Sequence, residues 1–249
     1  MTNLAVQEHW NQVYRDVEPQ IAQKIDPVRA WIEANIPNID GKNKTCIEIG
    51  CYPGRYLSVF GELGYELFGI DLTDKLGILP TWLREKGYKV GSFWKMGIQD
   101  FDPKQKFDVV ASFGFIEHFT NWDKILMKHM SFVKENGYLI LEVPNFLGAF
   151  QHWVHANFDR ANYERHCLSA MDIERWREIL DVSQFDIIYE KYFGGFDFWT
   201  VDRNLTLIKK LFIKILKKLR RPLNIILPKD RKMYSPFCGV IARRRNENA

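Results

Sequence analysis

The stretches 46–54, CIEIGCYPG, and 68–71, FGID, decide the fold. The first reads as an apolar strand that runs into a glycine turn, and the second as a strand that ends in the carboxylate of Asp71. Glycines let the backbone approach a ligand closely, and a carboxylate at the end of the second strand is placed to bind a ribose edge. Together they indicate half of a nucleotide-binding βαβ unit.

Strands and helices alternate along the chain on both sides of these stretches. The predicted strands are 45–50, 66–70, 88–94, 107–112, 137–143, 185–191 and 237–243. The predicted helices are 56–63, 81–86, 123–132 and 170–180, together with an N-terminal helical segment at 1–40 that Pro19 and Pro27 divide. Alternation with short turns predicts an α/β fold, with a mostly parallel seven-stranded sheet and helices on both faces.

Composition fits one globular domain over 1–249. The chain is 46% hydrophobic and 27% charged, and its net charge of +4 is too small to indicate nucleic acid as a partner. No secretory signal and no apolar run of membrane-spanning length is visible, and the four cysteines lack metal-ligand spacing. These features predict a cytoplasmic protein; they leave its oligomeric state open.

Six motifs stand in the order of a known family. The stretch 48–54 resembles the first motif of class I S-adenosylmethionine-dependent methyltransferases, acidic-x-Gly-x-Gly-x-Gly, and Asp71 matches the acid that holds the ribose hydroxyls. The stretches 107–112, 115–119 and 137–145 match later motifs. The stretch 165–169 resembles a histidine segment of the ubiquinone O-methyltransferase-like branch.

This resemblance implies a Rossmann-like methyltransferase fold that binds S-adenosylmethionine and releases S-adenosylhomocysteine. Asp71 lies 21 positions after Gly50, close to the roughly 20 expected for a ribose-binding acid. The residues that the resemblance assigns to the cofactor are Glu48, Gly50, Cys51, Tyr52, Gly54, Asp71, Leu72, Ile98 and Phe113.

Two positions depart from the family pattern. Tyr52 replaces the middle glycine of the first motif, so its ring either crowds the ligand or forms a wall of the site. Gly97 stands where the family usually has an acid for the adenine amino group. The backbone of Ile98 and the nearby Asp100 are the remaining candidates to bind adenine.

Methyl transfer to a hydroxyl or amine requires loss of a proton, and histidine is the commonest base near neutral pH. His118 follows the fourth strand, and Glu117 beside it is placed to orient it. His166 is the second candidate for the base, and Arg165 and Asn145 are candidates to contact the acceptor. Each histidine also has a purely structural interpretation.

Glu117, His118 and His166 together raise the question of a metal. Relatives that methylate RNA 2′-hydroxyls place a further glutamate three positions before the Glu-His pair. Gly114 stands at that position here, so we expect no dedicated metal site.

A basic insertion at 192–236 precedes the last strand. Within it, 205–221 form an amphipathic helix in which apolar side chains gather on one side and lysines and arginines on the other, and Pro222 is predicted to end it. Such a helix can lie on an anionic membrane surface. Alternatively its apolar face packs on the core, which is the interpretation the sequence favours, or its lysines attract an anionic acceptor.

The family resemblance, taken with the basic insertion, leads us to expect O-methylation of a small polar molecule or glycan precursor with a histidine base. One alternative is a non-catalytic binding or scaffold protein on the same fold, which Tyr52 and Gly97 favour. The other is a nicotinamide-dependent oxidoreductase. That class requires Gly-x-Gly-x-x-Gly, a spacing absent from 50–54.

Overall fold

A computed structural model describes residues 4, 7–36, 41–202 and 205–246. In this part of the chain, seven strands form one sheet in the order β3-β2-β1-β4-β5-β7-β6. Neighbours from β3 to β5 are parallel, whereas β7 is antiparallel to both β5 and β6. The strands are β1 (Thr45–Ile49), β2 (Glu66–Asp71), β3 (Val90–Lys95), β4 (Phe107–Phe113), β5 (Val133–Pro144), β6 (Phe185–Phe193) and β7 (Phe237–Arg244).

Helices cover both faces of the sheet, as the alternating pattern predicts. They are α1 (Gln7–Val13), α2 (Pro27–Asn35), α3 (Leu57–Glu62), α4 (Leu79–Glu85), α5 (Trp122–Ser131), α6 (Ala149–Phe158), α7 (Arg160–Tyr163), α8 (Ile173–Val182) and α9 (Leu207–Ile226). One apolar cluster packs α5 and α8 on the sheet, and a second packs α2, α3 and α4 on the other face.

The central strands are apolar on both sides because both faces of the sheet are covered. In β1, Ile47 and Ile49 belong to the first cluster and Cys46 to the second; in β5, Leu139 and Ile140 divide in the same way. A continuous apolar run, rather than strict alternation, is typical of such buried parallel strands.

Several element boundaries differ from those predicted. Strand β5 begins at Val133, four residues before the predicted start at 137, and continues through Asn136, which has a φ of 59°. Pro27 lies at the start of α2, where a proline needs no hydrogen-bond partner, with Asp26 as the N-cap. Helix α8 begins at Ile173 because Asp172 caps it, accepting from the Glu174 backbone N–H.

Pro222 was wrongly predicted to end the insertion helix, since α9 runs on to Ile226. Asn224 stabilises the turn beyond the proline. Its Nδ2 donates to the carbonyls of Phe196 and Arg220, both at 2.8–2.9 Å, and its Oδ1 accepts from the Phe196 N–H at 2.8 Å. These tertiary hydrogen bonds compensate for the backbone bond that proline cannot make.

Candidate active site

A cavity of about 260 Å³ lies at the carboxyl ends of β1, β2, β3 and β4. This is where ligands bind in open α/β sheets, beside the point at which the strand order reverses between β1 and β4. Its floor includes Gly50 after β1, Asp71 at the end of β2 and Phe113 at the end of β4, while Trp10 and Tyr14 from the N-terminal segment line its other side.

The glycine turn after β1 depends on positive φ values at its two outer glycines. Gly50 has φ of 75° and lines the cavity, and a Cβ there would lie 2.6 Å from the ring of Phe115. Gly54 has φ of 85°, and its N–H donates to the Cys51 carbonyl at 2.7 Å. Gly54 does not line the cavity, so it shapes the turn, whereas Gly50 and Cys51 face the ligand space.

Asp71 accepts a hydrogen bond from the same turn. Its Oδ2 accepts from the Tyr52 backbone N–H at 3.0 Å, and its Oδ1 accepts from the Thr73 N–H at 2.9 Å. Burial raises the pKa of this carboxyl despite these hydrogen bonds. Each carboxylate oxygen has a further lone pair, so a held and oriented Asp71 can still accept from two hydroxyls.

Tyr52 does not fill the cavity. Its ring is 2% exposed and meets that of Tyr14 edge to face at 5.2 Å, and its hydroxyl donates to the Val17 carbonyl at 2.6 Å. The side chain therefore turns toward the N-terminal segment and fixes that segment over the turn. Of the two interpretations of this residue, the geometry supports a wall.

Glu48 gives the cavity an acidic floor. The side chain is 4% exposed, lines the cavity, and accepts a hydrogen bond from the Leu57 backbone, while its Oε2 has no hydrogen-bond partner among the described residues. Burial raises its pKa well above the usual range. Burial raises the pKa of Tyr14 on the wall opposite, and the proximity of Asp71 and Glu48 raises it further.

The other end of the cavity is built from the residues after β2 and β3. Leu72 and Ile98 supply apolar surface there, and Gly97 and Gln99 lie beside them. Asp100 does not line the cavity, although the sequence left it as a candidate. Gln99 is the polar side chain at this position instead.

The N-terminal segment contributes side chains that the motifs did not indicate. Gln7 donates to the Leu72 carbonyl at 2.9 Å, while its Oε1 is buried without a hydrogen-bond partner among the described residues. Trp10 meets the His118 ring edge to face at 4.9 Å. An apolar spacing in 7–14 gave the signal for a helix, but nothing local showed that this helix covers the site.

Three predicted catalytic side chains lie together at the acceptor end. His118 lines the cavity, whereas Glu117 and His166 lie behind it, with the two imidazole centroids 4.6 Å apart. The Nδ1 atoms of His118 and His166 lie 3.1 Å and 2.6 Å from the carbonyls of Arg165 and Asn162. Because a carbonyl only accepts, both Nδ1 atoms carry the proton and both Nε2 atoms present a lone pair.

Burial keeps this group uncharged near neutral pH. It lowers the pKa of His118 to about 3 and that of His166 to about 4, and it raises the pKa of Glu117 to about 8. The distance of 3.7 Å between His118 Nε2 and Glu117 Oε1 is too long for a hydrogen bond. The imidazole of His118 is therefore neutral and makes no hydrogen bond to Glu117.

Glu117, His118 and His166 also place one ligand atom each within 4.8 Å of the others, a spacing that suits a metal ion. Gly114 has φ of 61° and lines the cavity close to Glu117. A glutamate at position 114, the missing fourth ligand, would be strained at that φ. A chelator can distinguish the acid–base interpretation of these three residues from the metal-ligand interpretation.

Two predicted acceptor residues are not in the cavity. Asn145 is fully buried; its Nδ2 donates to the carbonyls of Lys232 and Ser235, and its Oδ1 accepts from the Gly148 N–H. Every polar atom of this side chain is therefore engaged with backbone, and its role toward an acceptor stays a prediction. Arg165 contributes its carbonyl to His118, and its guanidinium donates to Asn162.

Strand order, the antiparallel β7 and the cavity at the switch point define a Rossmann-like α/β protein with a small-molecule site. The family described as "Methyltransferase domain" matches residues 16–190, and the chain belongs to this family.

Relatives and solved structures agree with this assignment. Ubiquinone biosynthesis O-methyltransferases of Bradyrhizobium sp. (strain ORS 278) and Rhodopseudomonas palustris (strain TIE-1) are 25% and 24% identical over 40% and 43% of this chain. The matches span only 39% and 44% of those two proteins.

The solved structures have the same fold. A SAM-dependent methyltransferase from Archaeoglobus fulgidus is 20% identical with a TM-score of 0.56, over 87% of this chain and 93% of its own. The magnesium protoporphyrin IX methyltransferase of Synechocystis, with bound SAH, is 16% identical with a TM-score of 0.52, over 87% of this chain and 80% of its own. The chain therefore has the fold of S-adenosylmethionine-dependent methyltransferases.

Proposed function

We propose that this protein transfers a methyl group from S-adenosylmethionine to a hydroxyl of a small polar molecule or glycan precursor. The observation that carries the cofactor assignment is the acidic cavity floor, in which the buried Glu48 has an oxygen without a partner. S-adenosylmethionine carries an ammonium and a sulfonium, so it compensates the cost of burying carboxylates. A nicotinamide dinucleotide would bring its anionic pyrophosphate to the same floor.

The residues present fit this cofactor along its whole length. Asp71 would hold the ribose hydroxyls, Leu72 and Ile98 would cover adenine with Gln99 at its polar edge, and Glu48 would face the ammonium. When bound, S-adenosylmethionine supplies an electrophilic methyl carbon. The protein's task is then to position the acceptor and remove its proton.

His118 is the residue we assign to that proton. Among the three clustered side chains it alone lines the cavity, its Nδ1–H is fixed on the Arg165 carbonyl, and its Nε2 lone pair is available at neutral pH. Its Nε2 would take the proton of the acceptor hydroxyl, and bound S-adenosylmethionine would supply the methyl group by breaking its methyl–sulfur bond and leaving as S-adenosylhomocysteine. His166 and Glu117 pack behind the imidazole and position it.

Oxygen as the methylated atom is supported by the names of the matching relatives, which are O-methyltransferases. The glycan or small-polar class of acceptor rests on the aromatic and polar lining and stays a proposal. The alternative of a non-catalytic binding protein loses its main support, because Tyr52 packs on the N-terminal segment and leaves the cavity open.

Calorimetry and a methyl-transfer screen test the proposal in two steps. We expect the full chain to bind S-adenosylmethionine and S-adenosylhomocysteine and not NAD; NAD binding alone would overturn the cofactor assignment. Glycan precursors and phenols are then screened with a labelled methyl donor. Cofactor binding without transfer to any hydroxyl acceptor would favour the non-catalytic alternative, and transfer only to amines would overturn oxygen as the acceptor atom.

A further inference from the structure

Helix α9 presents its apolar side to solvent. Within Leu207–Ile226 only Ile213 is buried. The large apolar side chains exposed on α9 are Leu207 (85%), Ile208 (81%), Leu211 (60%), Phe212 (40%), Ile215 (49%), Leu219 (44%), Ile225 (85%) and Ile226 (77%). The interpretation that this side packs on the core therefore holds only for Leu205, Phe212 and Leu216, which contact a small apolar cluster of the protein.

A second face of the helix, which shares Phe212 with the apolar side, attaches α9 to the protein. Ile213 joins a small apolar cluster with Phe158, and Phe212 stacks on Phe158 with centroids 5.6 Å apart. Lys209 donates to the Asn157 carbonyl at 2.7 Å, and Arg220 pairs with Asp197 at 2.8 Å. These contacts fix the rotation of α9 about its axis, so the exposed apolar side is held outward.

Positive charge lies beside this apolar side. Helix α9 contains seven lysines and arginines and no acidic residue. Beyond the two attached to the body, five have no ion-pair partner among residues 4, 7–36, 41–202 and 205–246. They are Lys210, Lys214, Lys217, Lys218 and Arg221.

We propose that α9 docks the protein on an anionic lipid surface, lying parallel to the membrane with its apolar side among the acyl chains. A large exposed apolar surface flanked by lysines and arginines is the pattern of interfacial helices. A second copy of the chain is the less suitable occupant, because it would oppose two strongly basic helices. In the described part of the chain no helix is long and apolar enough to cross a bilayer.

Co-sedimentation of the full chain with vesicles tests this. One set of vesicles contains phosphatidylcholine with phosphatidylglycerol, and the other contains phosphatidylcholine alone, each at low and high salt. We expect binding to the anionic set that weakens at high salt, and at least tenfold weaker binding to the neutral set. Equal binding to both sets, or to neither, would overturn the proposal.

Matched variants locate the contact. We expect Leu211→Ser with Ile215→Ser, and separately Lys214→Gln with Lys217→Gln, to weaken anionic-vesicle binding at least tenfold. The controls are Val182→Ser, an 84% exposed apolar side chain on α8, and Lys104→Gln with Lys106→Gln, which makes the same change of net charge elsewhere. If the control variants bound anionic vesicles as weakly as the α9 variants, the assignment of the lipid contact to α9 would be overturned.

Sedimentation velocity without lipid completes the experiment. A wild-type dimer that Leu211→Ser with Ile215→Ser dissociates, together with no vesicle binding, would show that this side contacts a second copy and would overturn the lipid proposal. Unchanged melting temperatures are expected for these variants because the substituted side chains are exposed.

Discussion

The cavity and helix α9 both depart from the usual distribution of polar and apolar groups. The cavity buries a polar group, whereas α9 exposes apolar ones. The cavity buries the Glu48 carboxyl with one oxygen unpartnered, while α9 exposes Leu207 and Ile208 almost completely. Buried unsatisfied polar atoms and large exposed apolar surfaces both cost free energy in an isolated chain. We propose a partner for each: a cationic small molecule for the cavity and a lipid surface for α9.

The largest expected effect is at the end of the cavity where His118 lies. We expect His118→Ala to lower kcat by about a hundredfold or more, the usual contribution of a positioned base. S-adenosylmethionine affinity, measured by calorimetry, should stay near wild type. His152→Ala, an exposed histidine on α6, is the control.

An unchanged rate for His118→Ala would show that the residue is not the base. A chelator distinguishes a base from a metal ligand: we expect dialysis against EDTA to leave the wild-type rate unchanged. A rate restored by added Mg²⁺ or Zn²⁺ would instead assign Glu117, His118 and His166 to a metal.

The cofactor end gives the next largest effect. Asp71→Asn keeps the size of the side chain but removes the charge, and we expect S-adenosylmethionine affinity to fall by about thirtyfold, as for the loss of hydrogen bonds to a charged group. Asp74→Asn, an exposed carboxyl that pairs with Lys95, serves as the control. Equal affinities for the two variants would contradict the ribose role of Asp71.

The pH dependence of kcat tests the burial of the histidine cluster. A base works only when unprotonated, so activity is lost as pH falls through its pKa. Because burial lowers the pKa of His118 to about 3, we expect no acid limb near the usual histidine pKa of about 6.5. If kcat instead fell as the pH was lowered from 7 to 6 in the wild type and not in His118→Gln, the imidazole would be exposed to water in the working enzyme.

The smallest expected effect concerns the wall between cavity and N-terminal segment. Tyr52→Phe removes the hydroxyl that donates to Val17, and we expect it to lower the free energy of unfolding by about 1 kcal/mol in urea titrations. Cofactor affinity should stay unchanged, since the ring remains in place. A large loss of affinity instead would mean that the hydroxyl contacts the ligand.

Sequence patterns were most informative where chemistry is local. The turn at Gly50, the acid at Asp71 and the seven strands followed from glycine geometry and apolar runs, and residues 16–190 belong to the family they indicated. They were least informative for side chains such as Asn145, whose buried amide binds the backbone of a segment about 90 residues away. Gln7, Trp10 and Gln99 were missed for the same reason.

The amphipathic pattern of 205–221 shows that a sequence does not determine which side of a helix faces the protein. Its sequence determines that one side of α9 is apolar and the other basic, since a helix repeats every 3.6 residues. Which side faces the protein depends on contacts from distant segments: the stack of Phe212 on Phe158, the ion pair with Asp197 and the hydrogen bonds of Asn224 to Phe196. Periodicity is a property of the chain alone, whereas the orientation of a helix is set by its neighbours, and only the tertiary structure supplies those.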